Sequence, residues 1–286
     1  MRMPMRGSSW TSAADRAAGP GQRRSHRSRR ENRRGSDDCT TGPEQPCCPP
    51  DSEAIRPASF RRRDNLVAAH YNRRVPQSPL PGVTVIDHPL IRVKMSQLRD
   101  AQTASVDFRA RLNELATLMV FEATRDLATK PIRVQTPLAE TEGAALVRPI
   151  VIAPILRAGL GLVEGMLDLL PDVSVAHIGM FRNEETRRPE SYYFKAPAHL
   201  ASADVILVDP MLATGWSATA AVNQLKEAGA TSIRFVCLVS CRAGVKQLHG
   251  THPDVPIFTA ALDPELNDRA YIVPGLGDAG DRYFGT

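Results

Sequence analysis

Three stretches of this chain carry residues suited to phosphate and sugar chemistry. In the first, the apolar run 205–208 ends in Asp209, followed by Pro210, Met211, Leu212, Ala213, Thr214, Gly215, Trp216 and Ser217. Small residues in such a turn let main-chain N–H groups converge, and a helix start there adds roughly half a positive charge. A phosphate monoester fits that nest, with hydroxyl donors from Thr214 and Ser217. Asp209, at the strand end, faces the place of sugar hydroxyls. The plain alternative is a strand-to-helix turn capped by Ser217. An apolar-D-x-x-x-x-T-G string is much rarer than a bare turn, which favours the phosphate. No G-x-x-x-x-G-K-[ST] occurs, so a Walker P-loop is excluded.

The second stretch places arginines at strand ends. Arg157 follows an apolar run and precedes Ala158 and Gly159; Arg182 ends another run, before Asn183-Glu-Glu-Thr186. A guanidinium matches phosphate geometry. Each arginine alone is uninformative. Together with a phosphate nest on the same sheet edge, they point to a ligand with two separated phosphates. The third stretch, Gly275-Leu-Gly277-Asp-Ala-Gly280, matches G-x-G-x-x-G, but only six residues remain after it. No helix or βαβ unit is expected to follow, so the dinucleotide reading fails on context. Gly159, Gly161 and Gly165 have the wrong spacing for one. What remains is a glycine-rich loop able to press main-chain amides on a flat ligand, or else a plain C-terminal tail.

Other candidates fall away. His88, His177, His199, His249 and His252 have no Ser, Cys or carboxylate at motif spacing and read as structural or exposed. Cys237 reads as a small core residue. No Cys/His set has zinc spacing, so no protein-bound metal is expected. Five cysteines, an odd number, do not make a disulfide framework and fit a reducing cytoplasm. No apolar run approaches the roughly 20 residues of a membrane helix, so no membrane partner is expected.

The elements that must position these residues follow from the apolar pattern. Ser105 reads as the N-cap of a helix with a stripe of Phe108, Leu112, Leu115, Met119 and Val120. Strands are expected at 149–156, 173–181, 205–209, 233–240 and 257–262, and helices at 160–169, 217–228 and near 244–249. Tyr192, Tyr193 and Phe194 fit a hairpin arm. Continuous β-branched runs between amphipathic helices imply a parallel sheet covered on both faces. The fold class is therefore α/β, doubly wound, with ligands at the carboxyl ends of the strands.

Charge divides the chain. Residues 1–80 hold sixteen arginines, no lysine and eight acidic residues, a balance of +8; the whole chain is +5, which leaves −3 for 81–286. The basic character belongs to the leader. An Arg/Ser/Pro/Gly-rich segment of this kind cannot bury enough surface to offset its ordering entropy. Residues 1–80 are thus expected to be a disordered leader and 81–286 the folded domain. RNA contact, organelle targeting and a start upstream of the true one are the alternatives for the leader. Otherwise no nucleic-acid partner is expected.

The residues also carry a family likeness. Pro154-Ile-Leu-Arg-Ala-Gly-Leu-Gly161, Arg182-Asn-Glu-Glu-Thr186, Asp209-Pro-Met-Leu-Ala-Thr-Gly215 and Tyr271-Ile-Val-Pro-Gly-Leu-Gly-Asp-Ala-Gly-Asp281 resemble uracil phosphoribosyltransferases. His88-Pro-Leu90, Glu122-Ala-Thr124 and Phe284-Gly-Thr286 fit too. The likeness covers about 82–286 and finds no counterpart for the leader. It implies a phosphoribosyltransferase-type sheet flanked by helices with a small hairpin or hood. It also implies the reaction of uracil with 5-phosphoribosyl 1-pyrophosphate (PRPP), in which Mg²⁺ travels with the donor, to give UMP and pyrophosphate. By position, residues 209–217 would hold the ribose and its 5′-phosphate, and Arg157 and Arg182 would face the pyrophosphate. Ile272, Gly277, Asp278 and Ala279 would line the uracil site, with Asp278 also touching the donor. GTP activation and a homo-oligomer are implied for the family at large.

Two departures stand out. Trp216 occupies the place of a second Gly in the family's Ala-Thr-Gly-Gly, which would be strained if that position needs positive φ. The indole is expected to point away from the phosphate. Ser240-Cys-Arg-Ala-Gly244 replaces a usual Ala-Ala-Pro-Glu-Gly and adds a charge at Arg242. The rival from another class is a non-catalytic nucleotide-sensing regulator whose basic leader contacts RNA.

Overall fold

The computed structural model describes residues 80–182 and 188–286, with Arg182 as backbone only. The expected leader therefore lies outside the described residues, save for Leu80. In chain order the elements are β1 (Val83–Val85), α1 (Pro89–Arg99), α2 (Ser105–Ala123), β2 (Thr129–Gln135), β3 (Glu140–Leu146), β4 (Ile150–Leu156) and α3 (Leu160–Leu169). They continue as β5 (Ser174–Val175), β6 (His177–Arg182), β7 (Pro189–Lys195), β8 (Asp204–Val208), β9 (Met211–Leu212) and α4 (Trp216–Glu227). The last are β10 (Ser232–Cys241), α5 (Arg242–Thr251), β11 (Ile257–Asp263), β12 (Glu265–Leu266), β13 (Ile272–Val273) and α6 (Ala279–Phe284).

The main sheet runs β1-β11-β10-β8-β4-β6-β7; only β7 is antiparallel, against β6. Each central strand carries an unbroken apolar run (150–153 in β4, 205–208 in β8, 235–239 in β10) because its side chains alternate between two cores. Ile150, Ile152, Ile206, Val208, Val236 and Leu238 pack on one face with Phe108, Leu112, Leu115 and Met119 of α2. Val151, Ala153, Val205, Leu207, Phe235 and Cys237 pack on the other with Ala221, Val222 and Leu225 of α4 and Leu248 of α5. This is the doubly wound α/β sheet expected from the sequence. Each fully buried Leu or Ile contributes about 1.5–3 kcal/mol. On the first face α3 presses so close to α2 that a Cβ on Gly165 would meet Asn113 O at 2.1 Å, and Thr117 Oγ1 donates to Gly165 O at 2.7 Å. Gly165 is there for helix packing.

Several local expectations are corrected. Ser105 does not cap α2: Ala104 is the N-cap, since the first helical bond runs from Phe108 N to Ala104 O at 2.8 Å. The strand expected over 173–181 is two strands broken at buried Ala176. The gap lies opposite Pro154 of β4, which has no N–H to extend the ladder. α4 starts at Trp216, one residue early, without a Ser217 cap bond. A helix does follow the third glycine-rich stretch. α6 needs only six residues because Asp278 Oδ1 accepts from Asp281 N (3.0 Å) at its start and Gly285, at φ 77°, closes it. The hairpin arm at 192–194 is β7. The hairpin β2–β3 was not foreseen.

Candidate active site

β4, β8 and β10 end at one edge of the sheet, and the conspicuous residues gather there. After β8 the chain passes Asp209 and Pro210, and Pro210 O accepts from Leu238 N (3.0 Å) and Val239 N (3.1 Å) of β10. β9 then pairs with β10, Met211 beside Val239 and Leu212 beside Ser240. Ala213 O accepts from Cys241 Sγ at 3.0 Å. Gly215 turns the chain into α4 with φ 81°, and a Cβ there would meet Gly244 O at 2.5 Å. The segment 209–215 is thus fastened to β10 and to the first turn of α5. The opening N–H groups of α4 have no intrahelical acceptor and no side-chain cap. That is the local chemistry of an anion cradle.

The strain considered for Trp216 does not arise, because the positive φ falls on Gly215 and Trp216 is already helical. Its indole is covered by Arg188, whose guanidinium carbon lies 3.5 Å from the ring centroid. Arg188 immediately precedes β7, so the stack joins the start of β7 to the first residue of α4. Nothing in the sequence spacing points to this pair. Arg242 is exposed at the start of α5.

Arg157 leaves the end of β4 across a cis peptide bond with Leu156. Its side chain is 61% exposed; Nη2 lies 3.6 Å from Asp281 Oδ1, and the guanidinium sits 5.7 Å from the Phe284 centroid. Arg157 therefore meets α6, the helix that Asp278 caps. Asp209 also senses the charge of Asp278. Burial pushes the Asp209 carboxyl up to about 7, the Met211 N–H (3.4 Å) pulls it down, and the charge of Asp278 raises it further. Asp278 and Gly277 are exposed, while Ile272 and Ala279 are buried in the core. Ile272 can therefore meet a ligand only through its main chain. Arg182 closes β6, and its side chain lies outside the described residues together with 183–187.

The remaining readings are simple. Burial pushes the Cys237 thiol up to about 12, as befits an inert core residue. His88 caps α1 by accepting from Leu90 N at 3.2 Å, and His249 Nε2 lies 3.0 Å from Val255 O. Among the described residues no cluster of three or more His, Cys, Asp or Glu could hold a metal, and no helix is long and apolar enough to cross a membrane.

The family model described as uracil phosphoribosyltransferase matches residues 85–286. The chain belongs to the uracil phosphoribosyltransferase family. Among similar proteins, the uracil phosphoribosyltransferase of Caulobacter sp. (strain K31) is 54% identical over 208 residues, covering 72% of this chain and 100% of the relative. That of Sinorhizobium fredii (strain NBRC 101917 / NGR234) is 53% identical over 208 residues, with the same coverage. The solved structure of AQ2163 protein from Aquifex aeolicus is 35% identical with a TM-score of 0.69, covering 71% of this chain and 98% of its own. The family match thus spans the segment 209–217, β6, β7 and the stretch 271–281.

Proposed function

We propose that the site joins uracil to the ribosyl carbon of PRPP, releasing pyrophosphate and forming UMP. The carrying observation is that Arg157, the segment from Asp209 to the start of α4, and Asp278 come from three separate parts of the chain to one edge of the sheet. In this reading the N–H groups of 213–217 hold the 5′-phosphate, with Thr214 and Ser217 as hydroxyl donors. Asp209 accepts from the ribose hydroxyls. Arg157 and Arg182 neutralise the leaving pyrophosphate as its bond to the anomeric carbon breaks and the bond to uracil N1 forms, the N1 proton passing to solvent or to the departing pyrophosphate. Main-chain groups of Ile272, Gly277, Asp278 and Ala279 hold the edge of the pyrimidine in line. Such hydrogen bonds reject cytosine, whose exocyclic group replaces an acceptor by a donor.

The carboxylates fit a magnesium ion delivered by the donor. The charge of Asp278 reaches the Asp209 carboxyl, and Mg²⁺ is commonly held by one or two carboxylates plus substrate phosphates. When bound, the ion would offset charge on the departing pyrophosphate.

The test is UMP formation from uracil and PRPP, with and without Mg²⁺, against other bases. Folded protein without turnover would sink the enzyme reading. Arg157→Ala and Asp278→Ala should each lower kcat/KM by about 10²–10³; unchanged kinetics in both would refute the site. GTP activation is supported by the family resemblance and is read in the same assay with added GTP. Two buried free thiols, Cys237 and Cys241, support a cytoplasmic location, and cell fractionation tests it. A homo-oligomer is supported by the hairpin β2–β3. All seven residues of β2 are exposed, including Ile132 and Val134, whereas an isolated two-stranded hairpin is marginal in water.

A further inference from the structure

We propose that the ion pair of Arg99 and Asp263 is a positioning clamp that sets the main chain of the pyrimidine loop. The proposal rests on the assignment of 272–279 to uracil. Arg99 is the last residue of α1 and Asp263 the last of β11, 164 residues apart in sequence. Their contact is bidentate: Arg99 Nη1 donates to Asp263 Oδ2 at 2.7 Å and Nη2 to Oδ1 at 2.8 Å. The same Nη1 donates to Gly275 O at 2.8 Å, and Gly275 N donates to Asp263 Oδ2 at 2.8 Å. Both polar main-chain atoms of Gly275 are therefore gripped by one pair.

Its surroundings make the grip firm. The side chains of Arg99 and Asp263 are only 23% and 9% exposed, so water competes little for these bonds. A pair joining only α1 to β11 would serve stability alone. This one reaches a third segment whose regular pairing is confined to Glu265 with Val273 and Leu266 with Ile272. Gly275 lies just beyond that pairing and two residues before Gly277, which turns the chain with φ 77°. Next to it, Arg282 Nη1 donates to Leu276 O at 2.8 Å and to Leu98 O at 2.7 Å, which ties the loop to the same end of α1. Arg99 and Asp263 touch no substrate in this scheme. They fix where the loop amides point.

Two conservative variants separate positioning from bulk stability. Arg99→Lys keeps the charge but loses the fork that serves Asp263 and Gly275 O together. Asp263→Asn keeps the shape but places an amide against a donor. Each should raise KM for uracil at least tenfold while KM for PRPP stays within twofold. Amide hydrogen exchange in the substrate-free protein should quicken about tenfold at 275–279 and stay unchanged at 213–217. Uracil KM within twofold of wild type in both variants would overturn the proposal. So would the two KM values rising together with faster exchange throughout. Exchange is measured without turnover, so a wild-type protein that makes no UMP would strike the functional reading, whereas uniform exchange would strike the clamp.

Discussion

Asp209 binds its proton unusually tightly in the ligand-free site. Its carboxyl moves from an ordinary 3.8 to about 7, chiefly by burial. The folded protein then holds more protons than the unfolded chain between those values, so this group's contribution favours folding at low pH and is lost as pH climbs from about 4 to about 7. Ligand-free Asp209→Asn should lack that decline. Its Tm should rise relative to wild type across the window, and parallel Tm–pH curves would contradict the assignment of the shift to Asp209. The strand ends and turns that carry Asp209, Arg157 and Asp278 were legible in the sequence, because each lies in a short motif whose local geometry is dictated by its neighbours. The stack of Arg188 on Trp216 was not, since the partners are brought together only when the start of β7 meets the start of α4.

Elements show the same division. β4, β8 and β10 could be read directly, because burial on both faces leaves an unbroken apolar run. α6 could not, because it contains barely two turns and is stabilised by its caps and by docking. That docking depends on Arg282, which donates to Leu98 O, Leu276 O and, at 2.6 Å, Asp100 O, and lies 4.4 Å from the Phe108 centroid. Arg282→Ala would leave these carbonyls short of a donor at a cost of about 1–3 kcal/mol. A lower urea midpoint with an unchanged m-value would be the sign of it. The hairpin β2–β3 escaped the sequence for the opposite reason: its strands are exposed, so no burial pattern marks them.

For the molecule as a whole, that exposed hairpin has a consequence for assembly. Ile132 and Val134 lie on one face of β2, paired across to Gly143 and Thr141 of β3. If a second copy covers this face, Ile132→Asp combined with Val134→Asp should shift the mass seen by light scattering toward a monomer. Retention of an oligomer would place the interface elsewhere. By charge the sequence divides into a basic stretch, 1–80, and an acidic remainder, and the family match at 85–286 lies in the latter. Subunit number had no such signature, because an interface borrows its apolar residues from surfaces that a single chain leaves open.

The residue that departs from the family pattern also makes the site visible. The chain has two tryptophans, Trp10 and Trp216. A Trp10→Phe protein would emit from one indole alone, at the first residue of α4 and beneath the Arg188 guanidinium. Donor binding should change the intensity or wavelength of that emission with a saturable dependence on PRPP concentration, while uracil alone should leave it nearly unchanged. A flat titration, despite donor binding detected calorimetrically, would mean that the indole is insulated from the cradle. Otherwise the bulky substitution supplies a built-in optical reporter of donor occupancy.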